Sequence, residues 1–214
     1  MERLDTWQLV ALAAALGWAS GIRLYAVLFI VGGLGYLRWF DLPPHLSVLA
    51  HPLVLWASGF MVFVEFFADK IPGVDTLWDV AHTLVRIPAG AALAGAVFGD
   101  SPPAWTIAAA IIGGTLAAGS HFTKAGARMA INTSPEPLSN WAASFGEDLL
   151  VGMMLYLALT HPVIFFVVLA LLLAAVIWLL PKLWRFLRAS SSRVQRWLGR
   201  SDGSPHGSQH SGDV

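Results

Sequence analysis

Apolar residues fall into six long blocks along the chain, each closed by a polar or proline-rich break. The blocks run Trp7 to Leu37, Ser47 to Ala68, Thr76 to Phe98, Ala104 to Ile131, Leu138 to Leu159 and Val163 to Leu180. Stretches of that length and apolarity suit a bilayer's hydrocarbon core. The breaks are Asp41-Leu42-Pro43-Pro44, Ile71-Pro72-Gly73, Gly99 through Pro103, Ser134-Pro135-Glu136-Pro137 and His161-Pro162. Each has the composition of a turn or a helix start. Backbone groups in lipid must be satisfied within the segment, which favours helices, and the short alternating segments of a barrel are missing. The predicted fold is all-α, a polytopic membrane helical bundle with about six spans.

Spans 1 and 4 are too long for a straight crossing. About 30 residues extend roughly 45 Å against a hydrocarbon core of ~30 Å. Each must tilt, protrude, or break and re-enter. Span 1 offers a break at Ser20-Gly21-Ile22-Arg23, and span 4 offers one at Gly113-Gly114 or Gly119-Ser120. Two internal matches compete. Gly21-Ile22-Arg23 pairs with Gly126-Ala127-Arg128, which suggests an inverted 3+3 repeat of the kind small transporters use. Pro72 through Trp78 pairs with Pro135 through Trp141, which relates spans 2–3 to spans 4–5 instead.

Composition supports the membrane assignment: 57% of residues are hydrophobic and only 12% are charged, about half the charge of a soluble domain. Cysteine is absent, which removes disulfides, thiolate metal sites and cysteine nucleophiles. No cleavable signal is evident, because the first apolar run is too long for one. Net charge is zero, yet Lys182, Arg185, Arg188, Arg193, Arg196 and Arg200 follow the last span with no acid before Asp202. Basic residues mark the cytoplasmic side. With six spans, both termini are then expected in the cytoplasm, in a bacterial inner (cytoplasmic) membrane. Residues 1–180 form the transmembrane domain. Residues 181–200 form a basic amphipathic helix, drawn to anionic lipids at the surface. Residues 201–214 form a polar, disordered tail. The lipid bilayer is the expected partner, a homodimer is compatible, and nucleic acid is not expected.

The charges inside the blocks change the picture most. Glu65 and Asp69 end span 2. Asp75, Asp79, His82 and Arg86 line one face of span 3. His121, Lys124, Arg128 and Asn132 line one face of span 4, and Asn140, Ser144, Glu147 and Asp148 open span 5. Arg23 lies near the middle of span 1. A lone charge at the bilayer centre costs about 2.5–3.5 kcal/mol on insertion scales, so these groups must pair or line a wet cavity. Residues near the ends, Asp69, Lys70 and Asp75, read as boundary ion pairs. The deeper set reads as a substrate-binding cluster: Arg23, Glu65, Asp79, His82, Arg86, Lys124, Arg128, Glu147 and Asp148. Arginines at depth suit a phosphate or carboxylate. A metal site is not expected, since no Glu-x-x-His pair occurs and the basic groups oppose a cation. No cofactor is expected either.

Three stretches carry a family resemblance. They are Ala19 to Tyr25, Val64 to Asp75, and Lys124 to Arg128 continuing through Asn132 to Pro137 to Gly146-Glu147-Asp148. The sequence resembles a bacterial integral-membrane family known only as a domain of unknown function, over roughly Trp7 to Leu159. The resemblance implies a single membrane domain and supplies no activity. From the residues, the leading expectation is a small transporter or lipid translocase. Its charged cavity, in the cytoplasmic half, takes an anionic small molecule or lipid headgroup. A non-enzymatic scaffold or assembly factor is the alternative, and an intramembrane enzyme acting on lipid headgroups is a further one.

Overall fold

The computed structural model describes residues 4–71, 73–132 and 137–198. The Ser134-Pro135-Glu136 turn, the prolines of the second internal match and the 201–214 tail lie outside them. Among the described residues α1 (Thr6–Tyr36), a 3-10 segment (Pro44–Ala50), α2 (Pro52–Ala68), α3 (Val74–Ala96), α4 (Pro103–Ile131), α5 (Pro137–Thr160) and α6 (Pro162–Leu198) follow one another, with no strand. The starts obey local chemistry. Asp5 and Gln8 cap α1 reciprocally, and α2 and α4 begin on prolines, which suit a first turn whose N–H groups have no partner.

By length and apolarity, α1, α4, Leu138–Thr160 of α5 and Pro162–Arg185 of α6 can each cross a membrane. The 3-10 segment and α2, bent 67° from each other, make a fifth candidate. The third block, α3, is not among them. Even so, its Asp75, Asp79 and Arg86 are buried, while Leu77, Val80 and Leu84 face outward. The same inversion holds elsewhere. Arg23, Glu65, Asp69, Lys124 and Arg128 are buried, while Trp56, Phe60, Ile111, Leu149, Leu171 and Ile177 are exposed. An apolar exterior around a charged interior is the pattern that lipid selects.

The helix α1 is not straight. Arg23 has φ −142° and ψ 70°, which breaks α1 into two helices. A straight helix of this length would hold its ends about 45 Å apart. Instead both ends lie at one end of the bundle. Gln8 Nε2 donates to Leu159 O beside the α5–α6 turn at 2.9 Å. Leu4 and Leu9 line one hollow with Leu42, Pro43 and Asp100. His45, just after that proline turn, lies 3.1 Å from Asp100, and Gly32 of the second half abuts Leu49 of the 3-10 segment. The first half therefore runs inward, the chain turns at Arg23, and the second half returns. Span 1, for which the sequence leaves tilting, protrusion or a break open, is broken into a helical hairpin with Arg23 at its tip. The start of α1 lies opposite the end where Leu183 of α6 packs on Gly126 near the close of α4.

Glycines permit the close packing this requires. A Cβ at Gly17 would meet Gly113 Cα at 2.5 Å, and one at Gly90 would meet Ala117 Cβ at 2.6 Å. A Cβ at Gly21 would collide with Ala117 O and Ser120. Thus α1, α3 and α4 meet through small residues, as helices without a hydrophobic driving force between them tend to do. The same use explains why α4 does not break. Gly113 and Gly114 are occupied by contacts with Ala94 and Ala91, and Ser120 Oγ donates to Trp18 O at 2.7 Å. Arg23 sits at a helix break and Arg128 inside a continuous helix, so the two members of the Gly-x-Arg match differ in backbone form. The last helix continues through Pro181 to Leu198, where the sequence suggests a new helix starting.

Candidate functional site

The break at Arg23 does two things at once. It turns the guanidinium into the bundle, and it frees the Ile22 carbonyl, which accepts from Lys124 Nζ at 3.1 Å. Arg23 is 2% exposed; its two Nη atoms meet the protein's own groups, while Nε is buried with no hydrogen-bond partner. Nη1 lies 2.8 Å from Asp69 Oδ2. Nη2 donates to Ser144 Oγ at 2.7 Å and Ser144 O at 3.1 Å. Nε lies 3.0 Å from Asp148 and 3.6 Å from Glu147.

Asp69 is the hub. Its Oδ2 lies within 2.8 Å of Arg23, 3.0 Å of Lys124 and 3.6 Å of Arg128. Lys124 also reaches Glu147 at 3.3 Å and Asp79 at 3.6 Å. Arg128 grips Glu147 with two parallel bonds, Nε to Oε1 at 3.1 Å and Nη2 to Oε2 at 2.9 Å. This is the fork geometry that arginine supplies and lysine cannot. Arg86 donates to Asp79 Oδ1 at 2.7 Å and to Glu65. One connected network thus joins α1, α2, α3, α4 and α5. The cations are Arg23, Arg86, Lys124 and Arg128. The carboxylates are Glu65, Asp69, Asp79, Glu147 and Asp148.

Of the nine residues singled out from sequence, eight lie in this network, and His82 does not. Its Nδ1 contacts Trp78 O at 2.8 Å, so Nδ1–H donates and Nε2 is left to accept from Tyr25 at 3.1 Å. Its ring stacks on Trp78. Asp69, read from the sequence as one of the ion pairs near a span end, forms ion pairs with three partners. It caps the C-terminus of α2 yet has no exposure, because the tip of α1 covers it. Asp75 belongs to a polar string beside the network: Asn132 Nδ2 donates to Asp75 at 2.8 Å, Asn140 Nδ2 donates to Asn132 at 2.7 Å, and Arg128 donates to Asn140 O at 3.1 Å. Asp148, 38% exposed, is the network's outermost carboxylate.

A crevice of about 190 Å³ reaches the network from the side. Trp18, Leu150, Leu172 and Val176 line it, and Lys124 and Glu147 are its charged residues. Its walls come from α1, α4, α5 and α6. Among the described residues no three His, Asp or Glu side chains come together as a metal site.

The family model described as a domain of unknown function, DUF4126, covers residues 10–182. The chain belongs to the DUF4126 family. In this DUF4126 protein the matched region contains the α1 break, the whole charged network and the lateral crevice. A domain of unknown function is also what the three motif stretches resemble. No match was found among curated proteins or solved structures.

Proposed function

We propose that this DUF4126 protein is a small membrane carrier that moves a lipid, or another amphiphile, bearing a phosphate or carboxylate. One observation carries the reading: an arginine at the tip of a broken, re-entrant helix is held by the protein's own carboxylates. Broken helices inside a membrane are tolerated where they line a binding site. Asp148 and Glu147 occupy positions around Arg23 that a phosphate or carboxylate would take. The crevice supplies an apolar path to Lys124 and Glu147, which suits an acyl chain better than a free solute. Binding then exchanges one anion for another at Arg23, and the half-exposed Asp148 is the group displaced.

Six membrane-embedded helices remain part of this reading, with α3 held in the bilayer by its apolar outer face. The basic residues after Leu180 put the C-terminus and the network in the cytoplasmic half of a bacterial inner membrane. The re-entrant α1 then leaves the N-terminus outside. The segment from 181 to 200 is the anionic-lipid contact.

The test uses liposomes of phosphatidylethanolamine and phosphatidylglycerol carrying a headgroup-intact fluorescent phosphatidylglycerol. The purified protein should speed its exchange between leaflets. Arg23→Lys should fold and lose at least about tenfold of that rate, because the planar fork is gone. Inorganic phosphate uptake without lipid exchange would reassign the substrate to a free anion. A folded protein that moves neither probe overturns the carrier reading. Stoichiometric co-purification of one partner would then favour a scaffold held together by a static network.

A further inference from the structure

Two charged groups near Arg23 each have what the other lacks. Among the described residues Asp148 pairs with Arg23 alone, at 3.0 Å. Its neighbours are better supplied, since Glu147 and Asp69 each also have Lys124 and Arg128. Lys70 is the opposite case. Arg23, Arg86, Lys124 and Arg128 each make at least one salt bridge, whereas among the described residues Lys70 makes none. Its Nζ donates to Phe66 O at 3.2 Å and lies 2.9 Å from the Phe66 ring centroid and 4.6 Å from that of Phe145.

The two groups lie at one place. Phe66 of α2 and Phe145 of α5 meet edge to face with centroids 5.9 Å apart, and Lys70 rests against both rings. Asp148 follows Phe145 by three residues, so it shares that face of α5. Of the carboxylates around Lys70, Asp148 acts on it most strongly, ahead of Asp69.

We propose that Lys70 is the standby counter-ion of Asp148: when a phosphate or carboxylate takes Arg23, Asp148 leaves the guanidinium and pairs with Lys70. The inference rests on the carrier reading, in which Asp148 is the group displaced. Asp148 is 38% exposed, so water alone covers only part of the loss when its one cation is taken, and an unpaired carboxylate that is still largely covered is costly. Glu147 meets no such problem, because Arg128 and Lys124 keep it. Lys70 is free to respond because one carbonyl and two aromatic faces hold it, and such contacts at a partly exposed site are weaker than a charge-assisted bond to a carboxylate. Lys70 is a positioning residue here. It acts on the anion through Asp148.

A double-mutant cycle separates this role from a direct contact. The full chain in dodecyl maltoside micelles would be titrated calorimetrically with dihexanoylphosphatidylglycerol and, in a second arm, with inorganic phosphate. The arm that shows binding identifies the anion as a headgroup or a free ion. Lys70→Met keeps an apolar stem on the two rings and removes the charge. It should weaken binding about fivefold, the upper scale of a partly exposed ion pair. Asp148→Asn should bind more tightly than the parent, because no carboxylate has to be displaced. Adding Lys70→Met to Asp148→Asn should then change affinity by less than about twofold, and Lys70→Arg should bind as the parent does. Lys70→Met should also melt with the parent, since Lys70 has no salt bridge to lose in the empty protein; if it fails to fold, Lys70→Gln takes its place. Equal weakening by Lys70→Met in both backgrounds would make Lys70 a direct anion contact, overturning the proposal and leaving the carrier reading intact. A lower melting temperature with unchanged affinity would make Lys70 a clamp between α2 and α5, with the same consequence. A folded parent that binds neither probe overturns the carrier reading and this inference with it.

Discussion

Replacing Asp69 by asparagine keeps its shape and removes one charge from the most contacted point of the network. Three cations lie within 3.6 Å of its Oδ2, and it has no exposure to share the loss with solvent. Arg23, Lys124 and Arg128 would then face Glu147 and Asp148, with Asp79 3.6 Å from Lys124. Removing one partner of a buried pair costs about 3–5 kcal/mol, whereas an exposed pair is worth ~0–1 kcal/mol. For a chain of this size that loss corresponds to a melting shift of about 6–20 °C, taking ~2–4 °C per kcal/mol. The assay is recovery of monodisperse protein from detergent after stepwise heating, with Asp69→Asn beside the parent. Asp69→Glu serves as the charge-retaining control. An Asp69→Asn protein melting within about 2 °C of the parent, the size of a surface effect, would show that Asp69 is not the hub.

Two further substitutions test the scaffold around the network. Gly17→Leu drives a side chain into Gly113 and should cost at least ~1–3 kcal/mol as overpacking, visible as a lower melting temperature in the same heating assay. An unchanged melting point would mean the α1–α4 approach is looser than described. Gly73 has φ +87°, and no atom of the described residues lies within 4 Å of its Cβ position. Gly73→Ala should therefore cost about 1–2 kcal/mol through backbone conformation alone, and Gly73→Asn should cost less by the same assay. Equal losses for the two would contradict a purely conformational cause.

Helix identity and polar faces were legible in the sequence because both follow short periods. Asp75, Asp79 and Arg86 recur at helical spacing and all turn inward. His82, three residues after Asp79, is rotated off that line by about 60° at 3.6 residues per turn, enough to bring it to Tyr25 instead. The break before Arg23 was legible from Ser20-Gly21, and the structure has it. Its consequence was not. Hydropathy measures how long α1 is, not whether it returns. The return is decided by distant contacts, with Gly32 against Leu49 and His45 beside Asp100. The same blindness hid Asp69, a residue at a helix end that is buried only because the α1 tip is brought over it. The glycines of α4 were ambiguous for a related reason: a pair such as Gly113-Gly114 allows either a hinge or a close contact, and neighbours choose between them.

The placement of Arg23 by a re-entrant α1 is the claim on which the site depends, and the chain's lack of cysteine makes it directly testable. Single cysteines at Asp5 and at Lys182 would be introduced separately and probed in intact cells, then in inverted vesicles, with a membrane-impermeant maleimide. The account predicts that the two positions label from opposite sides of the membrane. Labelling of both from the same side would mean that α1 crosses, and the hairpin that carries Arg23 to Asp69 would be contradicted.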